Sequence, residues 1–321
     1  MKEESKLKIV IADGYTLNPG DLDWKGIGRY GEITYYDRTP AAEMAGRCRN
    51  AEVIITNKAL VDAKVIEEAR QLKLILVTAT GYNIVDIAAA KARKVVVCNV
   101  PDYGTASVAQ HTFALILELA NRVGANSRAV AAGEWAASPD FAFSRGPIME
   151  LQGKTLGIIG LGRIGRQVAR LAQAFDMRVL YHNRRPKDTA DAEYAPLERL
   201  MEESDIVSLH CPLTKENAKF VNSLLLGRMK RGAWLINTSR GGLLDEQDVA
   251  DALKNGTLGH AALDVLSVEP PPASNPLLTA PNCIITPHNA WLSLEARTRI
   301  LRVTENNLAQ FVMNHPINTV G

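Results

Sequence analysis

Short apolar runs rich in β-branched residues alternate with helical patterns along the whole chain of 321 residues. The runs form two sets, separated by a stretch without such runs. The first set comprises Leu7–Ala12, Ile33–Tyr36, Val53–Thr56, Leu74–Thr78 and Val95–Cys98; the second comprises Thr155–Ile159, Arg178–His182, Ile206–His210, Trp234–Asn237, Ala261–Val265 and Cys283–Thr286. Runs that are apolar throughout are typical of strands buried on both faces of a parallel sheet. The pattern predicts an α/β protein with two Rossmann-like, doubly wound parallel sheets.

Length and composition fit two globular domains, since domains average roughly 150 residues. A hydrophobic content of 46% and a charged content of 22% exclude a disordered or fibrous chain. The formal charge of +2 favours neither a nucleic-acid partner nor a membrane surface. No apolar stretch of the sequence approaches the roughly 20 residues of a membrane span. The four cysteines are scattered without a CxxC pair, which indicates a reduced, cytoplasmic protein.

Two features lie between the sets of strands. Apolar residues from Val108 to Ala120 recur at helical spacing and predict a helix that bridges two domains. The segment from Gly133 to Glu150 contains two X-Pro steps and is predicted to be irregular. An irregular segment of this length either packs on a second subunit or lies on the surface as a loop.

The strongest motif is a GxGxxG at residues 160–165. A predicted strand precedes it and a predicted helix follows it, the context in which the motif binds a dinucleotide. Gly160 allows the tight turn, Gly162 lets the backbone approach a pyrophosphate, and Gly165 lets the helix pack on the strand. The phosphates then bind at the helix N-terminus, beside Arg163 and Ile164. The motif predicts a dinucleotide cofactor.

The end of the second strand of this unit bears on the choice between NAD(H) and NADP(H). A carboxylate at that position binds the ribose 2′-hydroxyl of NAD. Here the strand is followed by Asn183, Arg184 and Arg185 instead. Because no carboxylate repels a 2′-phosphate and either arginine is able to pair with it, the sequence favours NADP(H). The alternative is NAD(H), with Asn183 holding the ribose and both arginines solvated.

Polar residues with complementary chemistry follow the last strands. Arg240 follows the fourth strand of the second set, Asp264 ends the fifth with Glu269 soon after it, and His288 follows the sixth. Ligands of open α/β sheets bind outside the carboxyl ends of the strands. A guanidinium stabilises the negative charge that develops on a carbonyl oxygen during hydride transfer, and a histidine paired with a carboxylate supplies the proton. Arg240, Glu269 and His288 are therefore the predicted catalytic residues.

The remaining histidines are assigned no chemical role, and no HExxH motif or carboxylate cluster predicts a metal site. They are His111, His182, His210, His260 and His315.

Taken together, several motifs resemble those of the D-isomer-specific 2-hydroxyacid dehydrogenases. They cover nearly the whole chain and comprise Gly-Tyr-Asn-Ile-Val-Asp at 81–86, Asn-Val-Pro at 99–101, the glycine motif, Cys-Pro-Leu-Thr at 211–214, Asn-Thr-Ser-Arg-Gly-Gly at 237–242, Ala-Leu-Asp-Val at 262–265, Glu-Pro at 269–270 and Thr-Pro-His at 286–288. The resemblance implies reduction of a small 2-oxo acid to the D-2-hydroxy acid. It also implies a homodimer paired through the cofactor domain.

The resemblance implies roles for individual residues. Arg240 would bind and polarise the substrate, His288 would be the acid/base with Glu269 as its partner, and Asp264 would bind the nicotinamide carboxamide. Further cofactor contacts would come from Cys211, Pro212, Thr238 and Ser239. Backbone N–H groups of the turn Thr80, Gly81 and Tyr82 would bind the substrate carboxylate.

Within the family the chain is most similar to the glycerate dehydrogenases, also called hydroxypyruvate or glyoxylate reductases. Lys58 stands where many members carry an arginine near the substrate carboxylate, and Trp291 would narrow the pocket toward short substrates. Their alternative roles are a solvated surface charge and interdomain packing, respectively. The resemblance places a substrate domain at residues 1–102 and 291–321, with the cofactor domain, residues 103–290, inserted into it.

Two other functions remain possible at this point. A formate dehydrogenase resembles this family but places glutamine where Glu269 stands, because it transfers no proton. A dinucleotide-sensing corepressor retains the same three residues, although its long flexible tails are absent here.

Overall fold

The computed structural model describes residues 6–321, which divide into two compact units. One unit contains the chain up to Tyr103 together with Leu292–Gly321, and the other contains Gly104–Trp291. The second unit is therefore inserted into the chain of the first. We call them the split unit and the inserted unit.

The split unit is built on five parallel strands in the spatial order β2-β1-β3-β4-β5. The strands are β1 (Leu7–Ile11), β2 (Gly31–Tyr35), β3 (Val53–Thr56), β4 (Leu74–Val77) and β5 (Val96–Cys98). Its helices are α1 (Lys25–Gly28), α2 (Ala41–Cys48), α3 (Ala63–Glu68), α4 (Ile87–Ala92) and α11 (Leu294–Val312), with a 3₁₀ turn at Gly14–Thr16. The C-terminal tail returns to this unit, where Thr319 forms an antiparallel bridge with Cys98.

The inserted unit contains seven parallel strands in the order β12-β11-β10-β9-β6-β7-β8. They are β6 (Thr155–Ile159), β7 (Arg178–His182), β8 (Glu193–Tyr194), β9 (Ile206–Leu209), β10 (Ala233–Asn237), β11 (Leu258–Leu263) and β12 (Cys283–Ile285). The sequence predicted six of them. The sequence analysis missed β8, because this strand has only two residues, Glu193 and Tyr194, and they form no apolar run.

The helices of the inserted unit begin with the predicted long one. They are α5 (Thr105–Asn121), α6 (Val123–Ala131), α7 (Arg163–Ala174), α8 (Leu197–Glu203), α9 (Ser223–Leu226) and α10 (Glu246–Lys254), with 3₁₀ turns at Gly241–Leu243 and Pro276–Thr279. The segment at residues 132–150 contains neither helix nor strand. Within residues 6–321, no helix combines the length and the apolar character that crossing a membrane requires.

Both sheets are covered on both faces, which explains why their strands are apolar throughout. In β6, Leu156 and Ile158 pack into one hydrophobic cluster and Ile159 into another, on the opposite side of the sheet. In β1, Ile9 and Ile11 pack on one face and Val10 on the other. Successive residues of a strand point to opposite faces, so a strand buried on both sides has no polar alternation. The prediction of two doubly wound sheets is confirmed.

Candidate active site and cofactor cavity

The glycine turn connects β6 to α7, and two of its glycines are required on steric grounds. Gly160 has a φ of +104°, and a Cβ there would lie 2.5 Å from the backbone nitrogen of Cys211. A Cβ on Gly165 would overlap the carbonyl oxygen of Gly160, so any side chain would push the helix off the strand. At Gly162, apart from the glycine and its two neighbours in the chain, no atom of the described residues lies within 4 Å of the Cβ position. That open space adjoins the N-terminus of α7.

The turn lines a cavity of about 930 Å³ at the carboxyl edge of the inserted unit's sheet. The lining residues are Ile159, Gly160, Gly162, His182, Asn183, Arg184, Arg185, Lys187, Leu197, His210, Cys211, Pro212, Thr214, Glu216, Asn217 and Phe220. A helix N-terminus and several cations thus surround one space, which is large enough for a nucleotide-sized ligand.

Asn183, directly after β7, has its amide orientation fixed by the glycine turn. The backbone N–H of Leu161 donates to Asn183 Oδ1 at 2.8 Å, so Nδ2 points away from that N–H. Nδ2 is buried and has no acceptor among the described residues. Leaving a buried donor unpaired costs on the order of 1–3 kcal/mol. An oxygen atom of a ligand at this point would satisfy it.

Three cationic side chains line the same cavity: Arg184, Arg185 and Lys187. Lys187 Nζ donates to the carbonyl oxygen of Leu161 at 3.0 Å. The backbone N–H of Lys187 donates to the hydroxyl of Tyr181 at 2.8 Å, and that hydroxyl donates to the Lys187 carbonyl at 2.6 Å. Lys187 is therefore held beside the glycine turn by three bonds.

The cavity lining also includes an acid, Glu216, and a neutral histidine, His210. A hydrogen bond from Thr214 lowers the pKa of Glu216, and the positive charge of Arg184 contributes to the same shift. Burial lowers the pKa of His210 to about 4, so its imidazole is uncharged near neutrality. His210 Nε2 lies 2.9 Å from the hydroxyl of Ser208.

The predicted cofactor contacts after β9 and β10 differ in their placement. Cys211 and Pro212 line the cavity. The hydroxyl of Ser239 donates to the carbonyl of Cys211 at 2.6 Å, and the Thr238 hydroxyl lies 2.9 Å from that of Thr112. Both hydroxyls thus have partners within the protein. Ile164 packs against the hydrophobic core, and Arg163 is the first residue of α7.

His288 and Glu269 form an imidazole–carboxylate pair. His288 Nδ1 lies 2.6 Å from Glu269 Oε2, and Glu269 Oε1 accepts a hydrogen bond from the backbone N–H of Leu266 at 3.0 Å. Their side chains are 27% and 34% exposed, so the pair is accessible to a ligand. His288 has a φ of +51°, in the left-handed region. The backbone of His288 is fixed by a hydrogen bond to Asp264, and this fixed backbone orients the imidazole.

Asp264 accepts this bond and several others. Its carbonyl oxygen accepts from the His288 N–H at 2.8 Å, and its carboxylate accepts from the backbone N–H groups of Asn289 at 2.9 Å and Ala290 at 3.0 Å. The Thr286 hydroxyl donates to the carboxylate at 2.6 Å. The side chain of Asp264 is only 1% exposed. Burial raises its pKa, but hydrogen bonds from the surrounding groups outweigh burial, and the pKa lies below its usual range. Asp264 is thus an ionised anchor for the loop at residues 286–290, which we call the histidine loop.

Arg240 lies on the loop at residues 238–242, which follows β10 and which we call the arginine loop. Asn237, which is fully buried, donates through Nδ2 to the carbonyl oxygen of Arg240 at 2.9 Å. A Cβ on Gly241 would overlap the backbone of Leu266, so the arginine loop lies directly against the segment that leads to Glu269. The structure therefore brings the Arg240 loop and the Glu269 segment into backbone contact.

Lys58 lies at the carboxyl edge of the split unit's sheet. The carboxylate of Asp13, which follows β1, accepts hydrogen bonds from the backbone N–H groups of Asn57, Lys58 and Ala59 at 2.8, 2.6 and 2.8 Å. This carboxylate fixes the backbone of the loop while the side chain of Lys58 is exposed.

The turn at Thr80, Gly81 and Tyr82 follows β4 at the same edge. The Thr80 hydroxyl donates to the carbonyl oxygen of Val100 at 2.8 Å. In the part of the chain that the structure describes, the N–H groups of Gly81 and Tyr82 donate to no protein acceptor. Trp291, the last residue of the inserted unit, is 8% exposed.

Sequence reasoning missed three residues of these sites: Asp13, His111 and Lys187. His111 Nε2 lies 3.0 Å from the Thr286 hydroxyl and 3.4 Å from Asp264 Oδ1. A polar residue at the end of β1 was a signal for Asp13, since the same criterion selected Arg240. The partner of His111, Thr286, lies 175 residues away in the sequence, and the partner of the Lys187 ammonium group is a backbone carbonyl oxygen. No local sequence pattern marks either residue.

Comparison with known proteins gives a family match and relatives over the full length of the chain. The family model described as "D-isomer specific 2-hydroxyacid dehydrogenase, NAD binding domain" matches residues 113–290. Hydroxypyruvate reductase of Blautia hydrogenotrophica is 44% identical over 98% of this chain and 100% of its own length. Glycerate dehydrogenase of Methylorubrum extorquens is 37% identical, covering 98% of both chains.

A solved structure is similar over its whole length as well. It is the NADPH-dependent glyoxylate/hydroxypyruvate reductase of Sinorhizobium meliloti in complex with NADP and malonate, which is 29% identical. It superimposes with a TM-score of 0.84 over 99% of this chain and 97% of that one. The match of a family model to more than half of the chain, together with full-length relatives, establishes the family. The chain belongs to the D-isomer-specific 2-hydroxyacid dehydrogenases.

Proposed function

We propose that this dehydrogenase reduces hydroxypyruvate or glyoxylate, giving D-glycerate or glycolate. The observation that carries the proposal is the His288–Glu269 pair at 2.6 Å, held next to the Arg240 loop at the edge that also carries the dinucleotide cavity. The full-length relatives named hydroxypyruvate reductase and glycerate dehydrogenase support this substrate class.

The proton is handled by His288. Because Nδ1 faces the Glu269 carboxylate, which only accepts hydrogen bonds, Nδ1 carries a hydrogen. Nε2 is then the atom that gives a proton to the keto oxygen in reduction and takes it back in oxidation. The Arg240 guanidinium stabilises the negative charge on that oxygen and binds the adjacent carboxylate. In the split unit, the N–H groups of Gly81 and Tyr82 and the ammonium group of Lys58 have the chemistry to bind a carboxylate.

The inserted unit fits a nicotinamide dinucleotide. Gly162 leaves open space at the N-terminus of α7, where a pyrophosphate is stabilised by N–H groups and the helix dipole. Asn183 Nδ2, a buried donor without a protein acceptor, would bind a ribose or phosphate oxygen. When bound, the reduced cofactor supplies the hydride for the carbonyl carbon.

Of the two cofactors, we infer that NADP(H) is preferred. Arg184, Arg185 and Lys187 line the cavity, and no carboxylate follows β7 directly. Glu216 offsets part of this charge through Arg184, but the three cations outnumber it. The Sinorhizobium meliloti relative is described as NADPH-dependent.

Replacing both Arg184 and Arg185 by alanine is expected to lower kcat/KM for NADPH by about tenfold to a hundredfold, because each charge-assisted hydrogen bond contributes about 1.5–3 kcal/mol. The value for NADH should change by less than about threefold. The control is Arg228→Ala, which removes an exposed arginine paired with Glu202 in the same unit. A wild-type protein that strongly prefers NADH would contradict this cofactor assignment.

Replacing Glu269 by glutamine is expected to lower kcat for hydroxypyruvate by about tenfold to a hundredfold. The Glu269 carboxylate lies 2.6 Å from His288 Nδ1, and glutamine replaces this charge-assisted hydrogen bond by a weaker neutral one, so the imidazole is held less firmly. The KM for the cofactor should change less than about twofold, and steady-state kinetics measure both constants. Glu198→Gln, on the exposed face of α8, is the control, and an unchanged kcat in Glu269→Gln would refute the pairing role.

We also propose a homodimer and a cytoplasmic location. The irregular segment at residues 132–150 exposes large apolar side chains, including Trp135, Phe141 and Ile148, and such surface is typical of a subunit interface. The four cysteines are all free thiols, as expected of a reducing compartment.

A panel of short 2-oxo acids assayed with NADPH and with NADH tests the proposed function. Hydroxypyruvate and glyoxylate should be the best substrates, with NADPH giving the higher kcat/KM. A protein that binds the dinucleotide but reduces no 2-oxo acid would instead be a cofactor-sensing partner protein. Turnover of formate would indicate a formate dehydrogenase, which Glu269 disfavours because those enzymes carry glutamine at this position.

A further inference from the structure

Two neighbouring residues of α5 contact the loops that carry the proposed catalytic groups. His111 contacts Thr286, which begins the histidine loop after β12. Thr112 contacts Thr238 in the arginine loop after β10. In the sheet, β11 lies between β10 and β12. A single turn of α5 therefore contacts the loops of two strands that are not neighbours.

The directions of the hydrogen bonds at His111 follow from the chemistry of the groups. The Thr286 hydroxyl has one proton and donates it to the ionised Asp264 carboxylate at 2.6 Å. Towards His111 Nε2, at 3.0 Å, the Thr286 oxygen is therefore an acceptor, and Nε2 must carry a hydrogen. His111 thus orients the hydroxyl onto the carboxylate that also holds the N–H groups of Asn289 and Ala290.

The same reasoning applies to Thr112. Its hydroxyl donates to the carbonyl oxygen of Val108 at 2.8 Å within the helix. The Thr238 hydroxyl, 2.9 Å away, is therefore the donor of the second bond. Thr112 and Thr238 are both buried, so water does not replace the hydrogen bond between their hydroxyls.

We propose that His111 and Thr112 are positioning residues, which together fix the histidine loop and the arginine loop to one rigid helix and so set the geometry between His288 and Arg240. This proposal rests on the proposed function, because it assigns the two loops their catalytic side chains. Neither residue touches the reacting atoms. Thr112 acts through its bond to Thr238, and His111 acts through its bond to the Thr286 hydroxyl and its contact with Asp264 Oδ1 at 3.4 Å. A displacement of about 1 Å at a reacting group is enough to lower a rate strongly.

The first test measures the loops without using activity. Amide hydrogen exchange in His111→Leu should be about tenfold faster at Asn289 and Ala290, because their shared acceptor loses an organising bond. His111→Gln keeps an N–H donor at a similar reach and should restore wild-type exchange. Unchanged exchange in His111→Leu would overturn the proposal, whatever the enzyme's activity.

The second test measures catalysis. In His111→Leu, kcat for hydroxypyruvate should fall about tenfold while KM for the cofactor changes less than about twofold, and His111→Gln should recover most of kcat. A double variant with Thr286→Val should lose little more than the larger single loss, because both changes break the same bond. Faster exchange with unchanged kcat would reduce His111 to a structural role and overturn positioning.

For Thr112 the chain offers a matched control. Thr304 in α11 is also buried and donates to the carbonyl four residues earlier, at 2.8 Å from Ile300, but it belongs to the split unit and not to the unit of the histidine and arginine loops. Thr112→Val should lower kcat several-fold and Thr304→Val should not; equal kcat in both would overturn the role of Thr112. If the wild type reduces no 2-oxo acid while His111→Leu still speeds exchange, the proposed function fails and the anchoring of the loop stands.

Discussion

Replacement of His288 by asparagine is expected to lower kcat for hydroxypyruvate by about a hundredfold to ten-thousandfold, the range for loss of a general acid. Asparagine is chosen because His288 has a φ of +51°, and asparagine tolerates this left-handed conformation better than most residues. The loop backbone should therefore keep its bonds to Asp264. Steady-state kinetics with both cofactors measure the effect.

The dissociation constant of the reduced cofactor separates this effect from misfolding. It should change less than about threefold in His288→Asn, since the dinucleotide cavity does not include residue 288. His315→Ala, which removes an exposed histidine near the C-terminus, is the matched control and should keep full activity. A kcat in His288→Asn close to that of the wild type would refute the acid/base role.

Replacement of Arg240 by alanine is expected to lower kcat/KM by about a hundredfold to a thousandfold, because the positive charge that we propose to stabilise the developing oxyanion is lost. Arg240→Lys should recover only part of this, since lysine lacks the planar fork that binds a carboxylate through two bonds. Cofactor affinity should stay the same. Adding free guanidinium to Arg240→Ala should restore some activity and should not stimulate His288→Asn.

That last comparison distinguishes the two proposed roles. Guanidinium in solution replaces a missing positive charge, but it supplies no titrating proton near neutrality. If guanidinium restores neither variant and Arg240→Ala also loses its affinity for the cofactor, Arg240 is a structural residue of the loop instead.

The fold could be predicted closely because its strands are buried on both faces. Thr155–Ile159, for example, is apolar apart from its first residue, and the structure places β6 on those same residues. The strand β8 and the helix α6 could not be predicted. The first has two residues, and the second contains glycine, asparagine and serine, which are poor helix formers.

The candidate site was predictable only where its residues follow strands. Arg240 and His288 come just after β10 and β12, and parallel strands end at one edge, so sequence order implied proximity. Nothing comparable marks His111. Its partner Thr286 lies 175 residues away, and a lone histidine on a helix has no distinguishing pattern. A contact of this kind between distant residues is found only in the three-dimensional structure.

The configuration of the product made from hydroxypyruvate tests the central claim most directly. The wild-type protein, supplied with NADPH, should form D-glycerate in an amount equal to the cofactor consumed, and His288→Asn should form almost none. Formation of L-glycerate, or no hydroxy acid from hydroxypyruvate or glyoxylate with either cofactor, would contradict the assignment of this site as a D-2-hydroxyacid reductase.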